Sequence, residues 1–188
     1  MATKALFNTV VNWFIRQRMD QIQQFMNHPI ETQNGVLFSQ LYHAENTDYG
    51  KIHGFSSISS YDDFRRNVPI VTYEDFEPYI EKARQGNPDV FWPGYIRKFA
   101  KSSGTTNAKS KFIPISEECL EDCHFKAGKD LLSIYANNHP ENSLFSNKNL
   151  RLGGSSELYE DFNTKFGDLS AIMIENLPFW VEITTTQS

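Results

Sequence analysis

The sequence predicts an α/β unit, and three observations carry that expectation. Apolar residues recur at three-four spacing over 3–27 and 116–138, as they do on one face of a helix. Short strand-prone runs lie at 111–115, 150–156 and 179–185. No internal repeat, low-complexity tract or linker divides the 188 residues, so the helices and strands are expected in one unit over 1–188.

The first helix is expected over 3–27, with Leu6, Phe7, Val10, Val11, Phe14, Ile22, Phe25 and Met26 on its apolar side. It should stop at Asn27-His28-Pro29, because proline cannot continue a helix. A second helix follows from about Glu31 to Glu45, with Val36, Leu37, Leu41 and Ala44 inward and Gly35 as a weak point. Thr47-Asp-Tyr-Gly50 reads as a turn. Ser60 or Asp62 caps a short helix through Phe64 and Arg66. Thr72-Tyr-Glu-Asp75 resembles a capping box before a helix from Phe76 to Gln85, closed by Gly86. The acidic set Glu74, Asp75, Glu77 and Glu81 reads as a complement to that helix's dipole rather than as a metal site.

Phe91-Trp-Pro-Gly94 is an aromatic turn, and residues 95–99 are a strand or a short helix. Lys111–Ile115 reads as a strand. Ser116 opens a long helix to Asn138 with Leu120, Cys123, Ala127, Leu131, Ile134 and Tyr135 on one face, and His139-Pro140 ends it. Residues 150–156 run from a strand into a glycine turn. Residues 170–175 are a helical or strand-like run, and 179–185 are strand-prone.

Composition narrows the function. Hydrophobic residues make up 39% and charged residues 22%, as in a chain with a sizeable core. The net charge is -5 and the basic residues are scattered, which argues against nucleic acid as the principal partner. No stretch is apolar for about eighteen residues, so no membrane span is expected. Asn8 and Asn12 interrupt the N-terminal apolar run, and no small-x-small cleavage site follows. Cys119 and Cys123, four apart, would bridge poorly across one helical turn; reduced thiols in a cytoplasmic protein are the simplest reading. With His124 they make three ligands of zinc type without the paired-knuckle spacing, so no metal site is read there.

One stretch points to chemistry. Ala100–Lys111, AKSSGTTNAKSK, gathers hydroxyls, a glycine and three lysines ahead of the apolar FIPI. It suits an ordinary polar loop; the alternative is a phosphate cradle in which backbone amides, hydroxyls and a lysine converge on an anion. It fits neither G-x-x-x-x-G-K-[ST] nor G-x-G-x-x-G.

S-S-G-T-T followed by K-x-K-F-I-P resembles the first phosphate-loop motif of adenylate-forming enzymes. More specifically it resembles that of the acyl-acid amido synthetases called the auxin-responsive promoter family, which has plant and bacterial members. Asp62–Phe64, Val68–Ile70, Tyr73–Asp75, Tyr79-Ile80, Gly86 and Phe91–Pro93 are similar to the same family in order and spacing. The resemblance implies the N-terminal portion of a large ATP- and acyl-binding domain, a mixed sheet flanked by helices, with the C-terminal remainder absent; a bacterial member is expected. It implies that Ser102, Ser103, Gly104, Thr105 and Thr106 surround ATP phosphates, with Lys111 as the terminal lysine and Lys109 as an additional phosphate contact. It implies formation of an acyl adenylate from a carboxylic acid, then an amide with an amine such as an amino acid. Magnesium accompanies ATP, its ligand expected outside this chain. The chain alone is expected to be inactive and to self-associate through exposed apolar surface. A stand-alone nucleotide-binding module is the alternative. The motif usually has glycine where Ala108 stands and often proline where Ser110 stands.

Overall fold

The computed structural model describes residues 9, 10, 12–102, 110–144 and 157–178. The expected strands over 150–156 and 179–185, and the glycine turn at 153–156, lie outside the described residues. In chain order the helices are α1 (Met19–Asn27), α2 (Pro29–Ala44), α3 (Asp48–Ile52), α4 (Tyr61–Asn67) and α5 (Tyr73–Arg84). After strands β1 (Lys98–Lys101) and β2 (Phe112–Ile115) come a π-helix (Cys119–Phe125) and α6 (Lys126–Asn138). Strands β3 (Leu158–Asp161) and β4 (Thr164–Gly167) lead to α7 (Leu169–Glu175), so the apolar run at 170–175 is helical. The chain divides into two compact units, one of residues 1–29, 117–153 and 173–188, the other of residues 30–116 and 154–172.

In the first unit the expected 3–27 helix is broken. Residues 12–16 are helical, 17–18 form a turn, and α1 then runs to Asn27. Arg18 sits at the break, buried, with its Nε donating to Asp130 Oδ1 at 2.6 Å and its guanidinium 4.9 Å from the Phe25 ring centre. A buried cation is tolerated only when paired in this way. The stop at His28-Pro29 holds, and Pro29 opens α2 directly, where a missing amide costs nothing.

The 116–138 segment also departs from expectation. The π-helix widens the step from one buried residue to the next from four to five, which re-phases everything after it. Leu120, Phe125, Ser133 and Ala136 are buried, while Cys123, Ala127, Leu131, Ile134 and Tyr135, expected inward, are exposed. Ser133 is satisfied in the core by donating to the Ile15 carbonyl at 2.7 Å.

In the second unit, Leu41 and Ala44 of α2 are buried, Leu37 is half-buried and Val36 is exposed. The expected turn at 47–50 is instead the start of α3, because Thr47 caps it: its Oγ1 accepts from the Gly50 amide at 3.0 Å and donates to the Ala44 carbonyl at 2.7 Å. Ser60 caps α4. Thr72 and Asp75 form the full capping box of α5, which starts at Tyr73, three residues before the expected Phe76. Gly86, at φ 82°, follows the helix end in the left-handed region open to glycine.

The sheet order is β2-β1-β4-β3. β1 pairs antiparallel with β2 and parallel with β4, and β3 pairs antiparallel with β4, so the sheet is mixed. Of the 95–99 segment, read as a strand or a short helix, only Lys98 and Phe99 are regular, as the start of β1, while residues 95–97 are neither strand nor helix. The α/β expectation of a mixed sheet with flanking helices is met. The core of this unit joins Ile80 and Ala83 of α5 to Val90, Ile96 and Phe99, with Phe112 and Phe166 packed against it. The β3–β4 hairpin was not anticipated. Its two-residue turn, Phe162-Asn163, has φ 48° and 62°, a primed-turn geometry that asparagine accepts and phenylalanine rarely does.

Candidate phosphate-binding loop

Strands β1 and β2 are the arms of a hairpin whose last ladder pair is Lys101 with Phe112. Just beyond it the Ser102 amide donates to the Lys111 carbonyl at 2.9 Å, and the Lys111 amide donates to Ser102 Oγ at 3.0 Å. Sequence-expected site residues at the two ends of the loop are therefore brought together. Ser103, Gly104, Thr105, Thr106 and Lys109 lie outside the described residues. The base of the hairpin is anchored by Phe99, fully buried, and Ala100, also buried.

The first turn of α5 completes the loop's exit. Tyr73 Oη accepts a hydrogen bond from the Phe112 amide at 2.9 Å. Lys111 Nζ lies 3.4 Å from Glu74 Oε1 and 4.8 Å from the centre of the Tyr73 ring. The Glu74 carboxyl is held below its ordinary value first by a hydrogen bond from its own backbone amide, then by Lys111. Asp75 is likewise lowered, by the Thr72 amide and hydroxyl. The acids of α5 thus have separate duties: Asp75 caps, Glu74 faces Lys111, and Glu81 accepts from Arg84 at 2.8 Å. Among the described residues, no three of His, Cys, Asp and Glu are grouped so as to hold a metal ion.

Chemically, this arrangement presents an ammonium whose side chain is 46% exposed, next to a hydroxyl that accepts from the chain and also carries a proton to donate. Such a pair can receive an anion. The sequence reading did not find Tyr73 and Glu74 as partners of the loop. Both stand in the T-Y-E-D capping box, whose local role hides a contact made across 37 or more residues of chain.

The architecture recurs in solved acyl acid amido synthetases. The GH3.15 acyl acid amido synthetase superposes with a TM-score of 0.73 at 21% identity, covering 86% of this chain and 29% of that one. The same protein from a complex with 2,4-DB gives a TM-score of 0.65 at 24% identity, covering 78% and 26%. The fold is therefore that of this class of protein. The GH3 family N-terminal domain matches residues 18–187, and the chain belongs to the GH3 family, the auxin-responsive family that the motifs resembled.

Among its relatives, a jasmonoyl–L-amino acid synthetase of Nicotiana attenuata is 37% identical over 76 residues, 40% of this chain and 13% of its own length. An indole-3-acetic acid-amido synthetase of Arabidopsis thaliana is 32% identical over 101 residues, 53% of this chain and 18% of its own length. The chain therefore spans less than a fifth of these relatives. Both come from plants, and the expectation of a bacterial member is not borne out. Among the described residues, no helix is long and apolar enough to cross a membrane.

Proposed function

We propose that this chain supplies the ATP phosphate-binding loop of an acyl-acid amido synthetase. The activity is assigned to the whole protein, since the 188 residues match only 13% and 18% of the lengths of the relatives above. The observation that carries the reading is the closure of Ser102 on Lys111 at the mouth of a hairpin anchored in the core, in a chain of the GH3 family.

In this reading Ser102, Ser103, Gly104, Thr105, Thr106 and Lys111 surround the phosphates, with Lys109 as an additional contact. A substrate carboxylate oxygen attacks the α-phosphorus of ATP, the bond to the bridging oxygen breaks, and pyrophosphate leaves. The ammonium of Lys111 and the loop hydroxyls meet the charge gathering on that leaving group. An amine then attacks the acyl carbonyl and AMP departs, leaving an amide. Magnesium, when bound with the nucleotide, neutralises its oxygens, and no residue of this chain is assigned to hold it. The relatives' names supply the substrate classes, a small carboxylic acid and an amino acid. A cytoplasmic setting belongs to the same reading, resting on the unbridged Cys119 and Cys123.

The test is carboxylate-dependent ATP–pyrophosphate exchange by the whole protein. Exchange should fall at least about tenfold in Lys111→Ala, as expected when a charge-assisted contact to the leaving group is lost. Unchanged exchange in that variant would remove the loop from the site. Nucleotide binding without any carboxylate-dependent exchange would favour the stand-alone binding module instead.

A further inference from the structure

We propose that Glu74 is the resting counter-ion of Lys111 and that nucleotide phosphate displaces it, making Tyr73 and Glu74 the positioning residues of the loop's terminal lysine. This inference rests on the phosphate-binding reading of the loop.

The backbone of Lys111 is held on both sides. Its own amide donates to Ser102 Oγ at 3.0 Å, and the next amide, that of Phe112, donates to Tyr73 Oη at 2.9 Å. With the main chain fixed, the side chain is the part left to move. Among the described residues its side chain meets two adjacent residues in the first turn of α5, the Glu74 carboxylate at 3.4 Å and the Tyr73 ring at 4.8 Å.

Those contacts suit exchange. The side chains of Lys111 and Glu74 are 46% and 68% exposed, and exposed ion pairs contribute little to stability. A phosphate offers the same ammonium shorter, charge-assisted hydrogen bonds. Departure of Lys111 strands no buried charge, because Glu74 is in water and retains the hydrogen bond from its own amide. Nor does α5 depend on the pair, since Thr72 and Asp75 already cap it. The Tyr73 ring lies close enough for a cation–π attraction that keeps the ammonium near the loop while it changes partner.

The experiment is calorimetric titration of the whole protein with magnesium ATP and, separately, inorganic pyrophosphate. It compares wild type, Lys111→Ala, Glu74→Gln and the double variant, with thermal unfolding of each. Removing the competing carboxylate should tighten phosphate binding about two- to fivefold, the range an exposed ion pair can supply, without raising the unfolding temperature. In the Lys111→Ala background the same substitution should change nothing. Glu74→Asp, which keeps the charge, should return affinity toward wild type.

The outcomes separate. No binding by wild type, or full affinity in Lys111→Ala, removes the phosphate-binding reading and this inference with it. Loss of affinity in Lys111→Ala with none gained in Glu74→Gln overturns the counter-ion role alone. An equal gain in both backgrounds also overturns it, because the carboxylate would then act by simple repulsion of the ligand.

Discussion

Ser102 and Lys111 hold each other through two hydrogen bonds, one between their backbones at 2.9 Å and one from the Lys111 amide to Ser102 Oγ at 3.0 Å. The second bond makes a side chain do what a ladder carbonyl does elsewhere in the hairpin. The first residue of the hydroxyl-rich run is therefore a clasp that closes the loop on itself.

Ser102→Ala removes the clasp while leaving β1 and β2 paired. Nucleotide affinity should fall about three- to tenfold, the scale of one hydrogen bond. The unfolding temperature should move little, because the contact is exposed. Titration and thermal unfolding of the same samples check this, and unchanged affinity would leave Ser102 without a part in the site.

Gly50 has no room for a side chain. A Cβ there would collide with the Ala44 carbonyl oxygen, which also receives the amide of Thr47 at 3.1 Å and its hydroxyl at 2.7 Å. Gly50→Ala should therefore destabilise the chain by about 1–3 kcal/mol, the usual range for overpacking. Urea unfolding measures it. A loss well below 1 kcal/mol would show that α3 can shift away from α2 at little cost.

The Asp63 carboxyl is held at about 2 by the Ser60 hydroxyl, then by the Ser59 hydroxyl and amide, with Arg66 adding to them. Because the folded value lies below the ordinary 3.8, its contribution is complete above that pH and disappears as the pH falls toward about 2. Asp63→Asn should lower the unfolding temperature at neutral pH. The gap between variant and wild type should close between roughly pH 4 and pH 2. A gap that persists at pH 2 would point to a cause other than the carboxylate charge.

Phe162 occupies a left-handed position at φ 48° and is 69% exposed. Little packing is lost on replacing it, and asparagine tolerates that geometry better. Phe162→Asn should raise stability by about 0.5–1 kcal/mol, seen as a higher urea midpoint. A lower midpoint would mean that the exposed ring contributes more than the strained backbone costs.

What could be read from the sequence was local. Ser60 and Thr72 announced their helices because a cap is a short-range bargain between a side chain and amides two or three residues away. The strand at 112–115 was legible from an apolar run that is contiguous in the chain. The buried face of 116–138 was not, since a helix that switches from five-residue to four-residue steps at Phe125 breaks the periodicity on which the reading relied. The β3–β4 hairpin was missed because Phe162 stands where glycine or asparagine would mark the turn. The role of Glu74 was hidden for another reason. An acid in a helix's first turn is explained without any distant partner, and only the fold brings Lys111 beside it.

The pairing at the outer edge of β2 has a consequence for solubility. With Ser102 and Lys111 a hydrogen-bonded pair, the antiparallel alternation turns Phe112 and Pro114 away from β1. The Phe112 amide is already taken by Tyr73 Oη, and Pro114 has no amide proton to give. A foreign strand approaching this margin finds neither donor available. On the other margin of the described sheet, β3 presents the carboxylates of Glu160 and Asp161. Both rims thus discourage edge-to-edge growth, and the hairpin that carries the loop is shielded from recruitment into intermolecular β-structure.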